Sequence, residues 1–350
     1  MSTKLPKIAI LFLGYNDRDN LWDAITSVQT QTYSNFDIFY LDNASTDNSV
    51  TWVKKNFPQI KIIQEKNLGY AGTYAKYLPQ IFSQNYAGAV LLNTDIVVSK
   101  NWLKNLVLPA FEKDFIASAQ PKIYLWQEGK TNKINTFGNP VHFLGMGYCG
   151  NYGQEETSLS APPKNIVYAS GCCLLIKKIA FEKIGNLDQD FFMYLEDQDW
   201  GIRAHLWGME NRLCENSQMW HKYQFQKNPK NKIKFFYLER NRLFFLFKNY
   251  PASLLFLIFP AFLILEIGIL FHSILNHYFK EKLLAYSAFF QALPSLWKKR
   301  KIVQSQKVLS TKKFFALLDP VLKIENFGGT PLKFANLFFQ WYYNLVKKIL

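Results

Sequence analysis

The stretch LLNTDIVVSKNW, residues 91–102, places a carboxylate at the end of an apolar run. Its two leucines are typical of the end of a buried strand, the polar residues Asn93 to Asp95 follow at once, and apolar residues then resume. An unpaired buried charge is too costly to keep, so Asp95 must be solvated, paired or bound to a metal. The stretch therefore predicts either a turn or a ligand-binding position where a core strand ends.

Short apolar runs alternate with amphipathic segments along the chain that leads to this stretch. The runs predict strands at residues 7–13, 36–43, 60–64 and 87–93, and the amphipathic segments predict helices near residues 20–30, 48–56 and 70–84. Strand, helix and strand at this spacing require crossover connections, which join parallel strands and cover both faces of the sheet. We therefore predict an α/β fold with a mostly parallel sheet flanked by helices.

Polar residues follow all four predicted strands. In open sheets of this class, ligands bind beyond the carboxyl ends of the strands. The polar groups at those ends are Tyr15 and Asn16, residues 42–48, residues 67–70 and residues 93–95. Four strand ends on one rim predict one binding site rather than four unrelated turns.

A second mixed segment follows a region rich in Gly, Asn and aromatic residues. VYASGCCLLIKK, residues 167–178, predicts a strand, and the chain then alternates between helix, acidic loop and helix up to residue 209. Asp199 and Arg203 are four residues apart on the second of these helices. This spacing predicts an ion pair with a structural role.

The four cysteines are Cys149, Cys172, Cys173 and Cys214, and they show no C-x-x-C spacing. We interpret them as reduced thiols of a cytosolic protein. The apolar run at residues 7–13 follows a lysine but has no small-residue cleavage site. It therefore predicts a buried strand and not a signal peptide.

The charge of the chain is unevenly distributed. Its 350 residues carry a net charge of +15, with 20 basic and 21 acidic residues in 1–221 but 21 basic and 5 acidic residues in 222–350. A chain of this length exceeds the size at which one core usually stops growing. We therefore predict an α/β domain at residues 1–225 and a basic, apolar helical region at residues 226–350 that meets an anionic partner.

The C-terminal region contains an apolar run at the length threshold for a membrane span. Residues 254–271 include one charged residue, Glu266, and one proline, Pro260, and a second apolar stretch occupies residues 283–297. Both flanks of the first run are basic, so the positive-inside rule keeps both flanks cytoplasmic. We expect a helical hairpin, a re-entrant pair or helices in the membrane interface, with a buried core helix as the alternative.

Basic residues interleaved with aromatic residues also suit nucleic acid, because bases stack on aromatic rings while lysines neutralise phosphates. A nucleic-acid groove does not need 18 nearly uncharged residues, whereas a bilayer does. We therefore predict an anionic membrane surface as the partner, and no nucleic acid.

Eight short motifs occur in a characteristic order: YND, LDNASTDNS, NLGYAG, LLNTD, GCCLLIKKIAFEKIG, FFMYLEDQDWGIRAHLWG, MWHKYQ and YLERNRLFFL. Each is weak alone, but their order resembles family 2 glycosyltransferases, in particular the bacterial rhamnosyltransferase-like members. The resemblance spans residues 7–245. It implies a GT-A type fold, in which a nucleotide-binding sheet joins an acceptor-binding half, and transfer of a sugar from a nucleoside diphosphate with inversion.

For the nucleotide, the resemblance assigns Asp42 to a ring N–H or a ribose hydroxyl. It places Tyr15 and Asn16 beside Asp42, with Asn67 and Gly69 closing the pocket. The alternative is that the DNASTDNS stretch is an Asx-turn followed by a capped helix. The two interpretations are compatible, since a structural turn can present Asp42 to a ligand.

For the diphosphate, the resemblance assigns Asp95 to a divalent cation, Mg²⁺ or Mn²⁺, that neutralises the departing charge. The family's metal motif often has two acidic residues spaced by one, and here the first position is the amide Asn93. Asn93 could offer its carbonyl oxygen to the cation, or its side chain could bind a phosphate or a sugar hydroxyl. His221 matches a position where some related enzymes place a histidine on the metal or the diphosphate.

For the chemical step, the resemblance aligns Asp197 of YLEDQDW with the base that accepts the proton of the acceptor hydroxyl. Neighbouring Glu196 and Asp199 would raise the proton affinity of Asp197. The alternative is an acidic first helical turn that interacts with the helix dipole. Glu196, Asp199 and Arg203 are assigned supporting roles.

The sequence thus predicts an inverting, metal-dependent glycosyltransferase at the cytoplasmic face of the bacterial inner membrane, peripheral or anchored by its C-terminal helices. It would move a sugar, with rhamnose as one candidate, from a nucleoside-diphosphate donor to a lipid-linked or polysaccharide acceptor in cell-envelope glycan synthesis. One alternative is a sugar-nucleotide nucleotidyltransferase, but the loop after the first strand holds only Arg18 and one glycine for a triphosphate. The other is a membrane scaffold with an inactive transferase domain.

Overall fold

The computed structural model describes residues 5–159, 164–222, 231–323 and 330–350. The chain divides into two compact units. The first comprises Met1–Asn139, Cys149–Ala204 and Met209–Gln224, and the second comprises Pro140–Tyr148, His205–Gly208 and Phe225–Leu350. The predicted domain boundary between residues 225 and 226 lies outside the described residues, and a domain division there stays a prediction.

The first unit is built on one mixed sheet. Its strands are β1 Ile8–Gly14, β2 Phe36–Asp42, β3 Lys61–Gln64, β4 Gly88–Asn93, β5 Ile96–Val98, β6 Ile116–Trp126, β7 Lys130–Thr136, β8 Asn165–Ile166, β9 Cys173–Lys177 and β10 Glu210–His221. The accompanying helices are α1 Arg18–Gln29, α2 Ser49–Asn56, α3 Gly69–Phe82, α4 Trp102–Ala110, α5 Lys178–Ile184 and α6 Glu196–Leu206.

The strand order is β3-β2-β1-β4-β9-β6-β10-β5, with β7 on β6 and β8 on β10. The first four strands in this order pair in parallel, as predicted. The expectation of a mostly parallel sheet is wrong for the whole sheet, because five of the nine strand pairings among the described residues are antiparallel. Parallel neighbours need long crossovers, and helices α1 to α3 provide these connections only in the first part of the chain.

The sheet is covered on both faces, and β1 shows it most clearly. Ile10 and Phe12 point to one face while Ala9 and Leu11 point to the other, and all four are fully buried. The first face packs on one continuous hydrophobic cluster, to which α1 contributes Leu21, Ala24, Ile25 and Val28 and α4 contributes Trp102, Leu103, Leu106, Val107 and Ala110. Spacings of three and four residues place these side chains on one face of each helix.

The strand register aligns the carboxyl ends of the parallel strands. Gly14 at the end of β1 pairs with Asp42 of β2, which in turn pairs with Gln64 of β3. Leu13 pairs with Asn93 of β4 on the other side. The polar residues that follow these strands therefore share one rim of the sheet.

The second unit is helical. It contains α7 Lys232–Asn249, α8 Ala252–Leu275, α9 Phe279–Ser305, α10 Thr311–Ala316 and α11 Thr330–Ile349. The predicted apolar run at residues 254–271 lies within α8, the one helix among the described residues that is long and apolar enough to cross a membrane. Two short segments from earlier in the chain, Pro140–Tyr148 and His205–Gly208, belong to this unit. In the second segment, Trp207 donates from Nε1 to the carbonyl of Val303 at 3.1 Å.

Gly201 in α6 is tightly packed. A Cβ atom there would lie 2.4 Å from the Cβ of Tyr168, whereas one at Gly268 in α8 would meet nothing within 4 Å. We expect Gly201→Ala to lower the free energy of unfolding by about 1–3 kcal/mol through overpacking. The helical control Gly268→Ala should be neutral or stabilising by up to about 1 kcal/mol. Thermal unfolding of both variants checks this, and equal melting temperatures would contradict the packing at Gly201.

Candidate active site

One turn, at residues 170–172, connects the predicted metal ligand Asp95 with the predicted base Asp197. The backbone N–H of Gly171 donates to Asp197 Oδ2 at 2.7 Å. The carbonyl of the next residue, Cys172, accepts the N–H of Asn93 at 3.0 Å. Asn93 is the last residue of β4, and Asp95 follows it two residues later. The turn therefore brings the end of β4 and the start of α6 together.

The two acidic groups also shift the pKa values of side chains at this turn and beside it. Burial, and then the nearby charge of Asp95, raises the pKa of the Cys172 thiol well above its ordinary value. The hydroxyl of Tyr70 donates to the carbonyl of Gly171 at 2.6 Å, and burial, followed by the neighbouring phenol of Tyr74 and then the charges of Glu196 and Asp197, raises the pKa of Tyr70. The two carboxylates thus lie around one small group of residues.

Asp95 forms a close pair with His221. The Nε2 atom of His221 lies 3.1 Å from Asp95 Oδ1, and the Asp95 side chain is 33% exposed whereas His221 is buried. Antiparallel pairing of β5 with β10 sets this contact, since His221 pairs with Ile96. Burial acts to raise the pKa of Asp95, but His221 and hydrogen bonds, one of them from the Asn93 side chain, hold it below its ordinary value.

The structure also identifies Asn135 of β7, a residue that the sequence did not suggest. Its Oδ1 atom lies 3.3 Å from His221 Nδ1. An amide oxygen can only accept a hydrogen bond, so Nδ1 donates in this contact. A cation held by Asp95 and His221 would then meet the lone pair of Nε2. The strand KTNKINT carries no motif, so only the tertiary contact reveals this residue.

The donor set at Asp95 suits a divalent cation. A carboxylate oxygen and an imidazole nitrogen are ligands that Mn²⁺ accepts, and Mg²⁺ prefers the carboxylate. The described parts of the chain contain no group of three or more His, Cys, Asp or Glu side chains placed to hold a metal. Asp95 and His221 would therefore supply two ligands, and the remaining positions would fall to phosphate oxygens and water.

Asp197 lies in the first turn of α6 and is partly exposed. Burial raises its pKa, while the N–H groups of Gly171 and Gln198 act in the opposite direction. Glu196 is buried, and its pKa lies well above the ordinary value because of burial and then the charge of Asp197. Glu196 therefore holds its proton more firmly than an ordinary glutamate does, and Asp197 is the partly exposed carboxylate of the pair, which a substrate can reach.

The segment before this pair has an unusual backbone. Phe192, Tyr194 and Leu195 have φ values of 61°, 70° and 66°, in the left-handed region that non-glycine residues rarely adopt. The Phe192 carbonyl accepts the N–H of Ala71 at 2.9 Å. A Cβ atom on Gly69, whose φ is +69°, would lie 2.4 Å from that carbonyl oxygen. Glycine at position 69 thus lets the NLGYAG motif pack against the loop that leads to Asp197.

Asp199 and Arg203 form the ion pair that their spacing predicts. Asp199 Oδ2 lies 3.0 Å from Arg203 Nε, and both side chains are buried. Arg203 also donates to the carbonyls of Ile184 and Asn186 at 2.9 and 2.8 Å. These contacts attach α6 to the end of α5, which agrees with a structural role.

The predicted nucleotide residues are held by their own loops. The carboxylate of Asp42 accepts the N–H of Ser45, three residues later in the chain, at 3.3 Å. Asn16 accepts the N–H of Thr46 at 2.7 Å, and its own N–H donates to Ser45 Oγ at 3.0 Å. These bonds join the loops after β1 and β2, while a ligand role for Asp42 and Asn16 stays a prediction.

The rim continues through Asn67. Its Oδ1 atom accepts from Gly69 N at 2.9 Å and from Asn43 Nδ2 at 3.1 Å, and Asn43 Oδ1 in turn accepts from Leu68 N at 2.9 Å. Asn43 therefore shapes the loop after β3 from the end of β2. Tyr15 is 55% exposed, so its ring is open to a planar ligand.

Asp17, the last residue of the YND motif, is a second residue that the sequence did not single out. Burial raises its pKa to about 6, and hydrogen bonds with Thr94 and Tyr40 act in the opposite direction. Its Oδ1 atom accepts from the Tyr40 hydroxyl at 3.0 Å. Because Thr94 precedes Asp95, Asp17 supports the strand end that carries the candidate metal ligand.

Comparison of the sequence with known proteins gives one family and a set of distant relatives. Residues 12–185 match the family model described as Glycosyl transferase family 2. The N-acetylglucosaminyl-diphospho-decaprenol L-rhamnosyltransferase of Mycobacterium tuberculosis is 24% identical over 222 residues, which cover 58% of this chain and 71% of that protein.

Two solved structures share the fold. GalNAc-T7, in a crystal structure with UDP, GalNAc and Mn²⁺, has a TM-score of 0.55 at 14% identity, over 71% of this chain and 49% of that one. S. aureus TarS 1–349, in complex with UDP, has a TM-score of 0.52 at 15% identity, over 98% of this chain and 90% of that one. The prediction of an α/β sheet flanked by helices is confirmed at this level, with the sheet mixed.

We expect Asn135→Ala to weaken Mn²⁺ binding about 10- to 100-fold, the usual effect of losing a residue that orients a metal-binding histidine. Calorimetric titration of Mn²⁺ in the presence of a nucleoside diphosphate measures this. Asn139 is a matched control, since it is also buried but bonds Thr136. Equal Mn²⁺ affinities for Asn135→Ala and Asn139→Ala would contradict the orienting role.

Proposed function

The chain belongs to glycosyltransferase family 2, and from this premise we propose that it transfers a sugar with inversion from a nucleoside-diphosphate donor to a lipid-linked glycan acceptor. The observation that supports this most strongly is the position of Asp95 and Asp197 around the turn at residues 170–172. Such a transfer needs one group that assists the departing diphosphate and one base that frees the acceptor hydroxyl. The two carboxylates fit these two tasks.

The donor would bind at the rim formed by the ends of β1, β2 and β3, as in a GT-A type domain. The exposed ring of Tyr15 suits a base, and Asp42 and Asn67 lie on the adjacent loops. The structurally similar GalNAc-T7 and TarS were both crystallised with UDP, which supports a nucleotide ligand for a protein of this fold. Rhamnose is the candidate sugar that the mycobacterial relative suggests.

Asp95 and His221 would hold the divalent cation, Mg²⁺ or Mn²⁺. When bound, the cation would supply positive charge for the diphosphate leaving group. Asn93 and Asn135 orient these two residues, Asn93 through a hydrogen bond with Asp95 and Asn135 through the Nδ1 side of His221. The presence of Mn²⁺ in the GalNAc-T7 structure supports a cation in this fold.

Asp197 would act as the base. The N–H groups of Gly171 and Gln198 bond one oxygen each, at 2.7 and 2.8 Å, and so fix the orientation of the carboxylate. The raised pKa makes Asp197 a better proton acceptor than an ordinary aspartate. As the acceptor hydroxyl transfers its proton to Asp197, the hydroxyl oxygen forms a new bond to the anomeric carbon of the donor sugar. The bond from that carbon to the diphosphate breaks on the opposite face of the sugar.

The acceptor would be lipid-linked, at the cytoplasmic face of a bacterial inner membrane. The name of the mycobacterial relative specifies a diphospho-decaprenol acceptor. The second unit of this chain combines a strongly basic sequence with the apolar helix α8, and this combination favours an anionic membrane surface. An enzyme held at that surface can reach an acceptor that does not leave the bilayer.

A variant pair tests the assignment of the base. Glutamine mimics protonated Glu196, so Glu196→Gln should lower kcat by less than about tenfold. Asp197→Asn removes the proton acceptor and should lower kcat by about 10²–10⁴-fold. The assay follows nucleoside-diphosphate release from a panel of nucleotide-sugars with Mn²⁺ and a decaprenyl-diphosphate-linked acceptor.

Three outcomes would overturn the proposal. No nucleoside-diphosphate release by the unsubstituted protein would favour a scaffold with an inactive transferase domain, and full activity of Asp197→Asn would exclude Asp197 as the base. In a parallel incubation with a nucleoside triphosphate and a sugar phosphate, release of pyrophosphate would instead identify a nucleotidyltransferase.

We also expect an acidic limb in the pH dependence of kcat. Asp197 works only when deprotonated, so activity is lost as the pH falls through its raised pKa, at a higher pH than an unperturbed aspartate, near 3.9, would give. A pH–rate profile measures this. Because Asp17 also has a raised pKa, Asp17→Asn is the control, and disappearance of the limb in that variant would contradict its assignment to Asp197.

A further inference from the structure

Helix α8 exposes an unbroken apolar face. Its exposed large side chains recur at intervals of three and four residues and include no charged group: Phe256, Phe259, Leu263, Ile264, Ile267, Phe271, Ile274 and Leu275. Phe256 and Ile267 are 81% and 69% exposed. Soluble surfaces rarely leave contiguous apolar area of this extent open to water, so this outer face requires a cover.

The buried side of α8 is attached to its neighbours by charged side chains. Glu266 is buried and accepts hydrogen bonds from Arg242 of α7 and, at 2.8 Å, from Lys282 of α9. Glu239 of α7 lies 2.9 Å from Arg242 and 2.5 Å from Lys282. The cluster of these four residues contains two positive and two negative groups, so it balances its own charge.

This cluster is incompatible with a helix that crosses the bilayer. With 24 residues, α8 is about 36 Å long, enough to span a hydrocarbon core of about 30 Å. Glu266 lies 14 residues after Ala252, about 21 Å along the helix, and would therefore be inside the hydrocarbon. Its partners on α7 and α9 would have to follow, and buried charges are costly there.

The partner helices do not suit hydrocarbon. Among the described residues only α8 is apolar enough to span, and α7 carries six charged residues in 18. Separating α8 from α7 and α9 instead would leave Glu266 and its partners unpaired, and breaking a buried ion pair is strongly destabilising. Both routes to a spanning α8 are therefore unfavourable.

We propose that α8 lies in the plane of the membrane, within one leaflet, with its outer face in the boundary between headgroups and acyl chains. The charged cluster then stays on the protein side, away from lipid. This inference specifies the topology of the membrane association in the proposed function, and it rests on that association but not on the chemistry of the site.

A lipid surface fits the outer face better than a second copy of the chain. Residues 222–350 contain 21 basic and 5 acidic residues, so two copies would repel each other through this region. Anionic headgroups attract the same Lys and Arg side chains. The basic charge of this region and the apolar area of α8 thus both favour a lipid surface.

Helix α11 extends the surface. The hydroxyl of Tyr342 donates to the carbonyl of Leu257 at 2.7 Å, which fixes α11 against α8. The opposite sides of α11 differ, since Phe339, Tyr343 and Val346 are buried while four other large apolar residues are exposed: Phe334, Leu337, Trp341 and Leu345. Tryptophan is typical of the membrane interface, where its ring is apolar and its N–H stays hydrated.

Depth measurements distinguish the two topologies. Spin labels on Phe256→Cys, Ile264→Cys and Phe271→Cys, in protein bound to vesicles of phosphatidylglycerol and phosphatidylethanolamine, report depth by electron paramagnetic resonance. An in-plane helix gives three shallow depths within about 5 Å of one another. A spanning helix gives depths that change by about 12 Å between residues 256 and 264, and this result would overturn the proposal. Unsubstituted protein corrects for labelling of the native thiols.

Labelling from one side provides a second test. Ser253→Cys and Asn276→Cys lie at the two ends of α8, and both positions are exposed. With protein added to sealed vesicles, a membrane-impermeant maleimide should label both variants fully without detergent. Labelling of one end only after lysis would contradict the in-plane position.

Binding variants test the occupant. Ile267→Glu should weaken partitioning onto these anionic vesicles at least tenfold, since a carboxylate would enter the acyl boundary. Val308 is 73% exposed in the turn after α9, so Val308→Glu is the matched control and should stay within about threefold. Equal effects, or a soluble dimer that does not bind vesicles, would overturn the proposal. None of these readouts uses a sugar donor, so an inactive protein with this topology would disprove only the proposed reaction.

Discussion

The hydrogen bond from the backbone of Gly171 to the carboxylate of Asp197 determines where the site can form. Through the next residue the same turn binds the end of β4, so it fixes the candidate base and the candidate metal ligand relative to each other. A Cβ atom at position 171 would lie 3.1 Å from the Tyr70 hydroxyl and 3.3 Å from Asp197 Oδ2. A side chain there would press on the groups that the turn has to hold.

The first half of the fold could be predicted because its information is local. Each of the first four strands and three helices begins and ends within two residues of its predicted bounds, since hydrophobic period and polar ends define each element within its own segment. The pairing of the later strands does not depend on local sequence in this way. β10 pairs with β5, β6 and β8, and the paired residues lie between 45 and 125 positions apart along the chain, counted from Ile166 to Asn211 and from Ile96 to His221. Pairings over this distance leave no periodic signal, so the antiparallel part of the sheet was missed.

The residues of the candidate site also fall into two groups, those that the sequence motifs predict and those that only the structure reveals. Asp95, Asp197 and His221 stand in motifs whose order identifies the family, and the structure brings Asp95 beside His221 and connects it with Asp197 through one turn. Asn135 has no motif, because its importance comes only from the pairing of strands that places it next to His221. The metal-ligand and base roles are still proposals. Their supporting contacts could be read only from the tertiary structure.

The most direct measurement is a crystal structure with Mn²⁺ and a nucleoside diphosphate, with diffraction data collected at the manganese absorption edge. The account predicts an anomalous peak in contact with Asp95, His221 and the diphosphate, and an Asp197 carboxylate that opens onto the same cavity beside the terminal phosphate. A manganese peak elsewhere, or an Asp197 that faces a separate cavity, would contradict it.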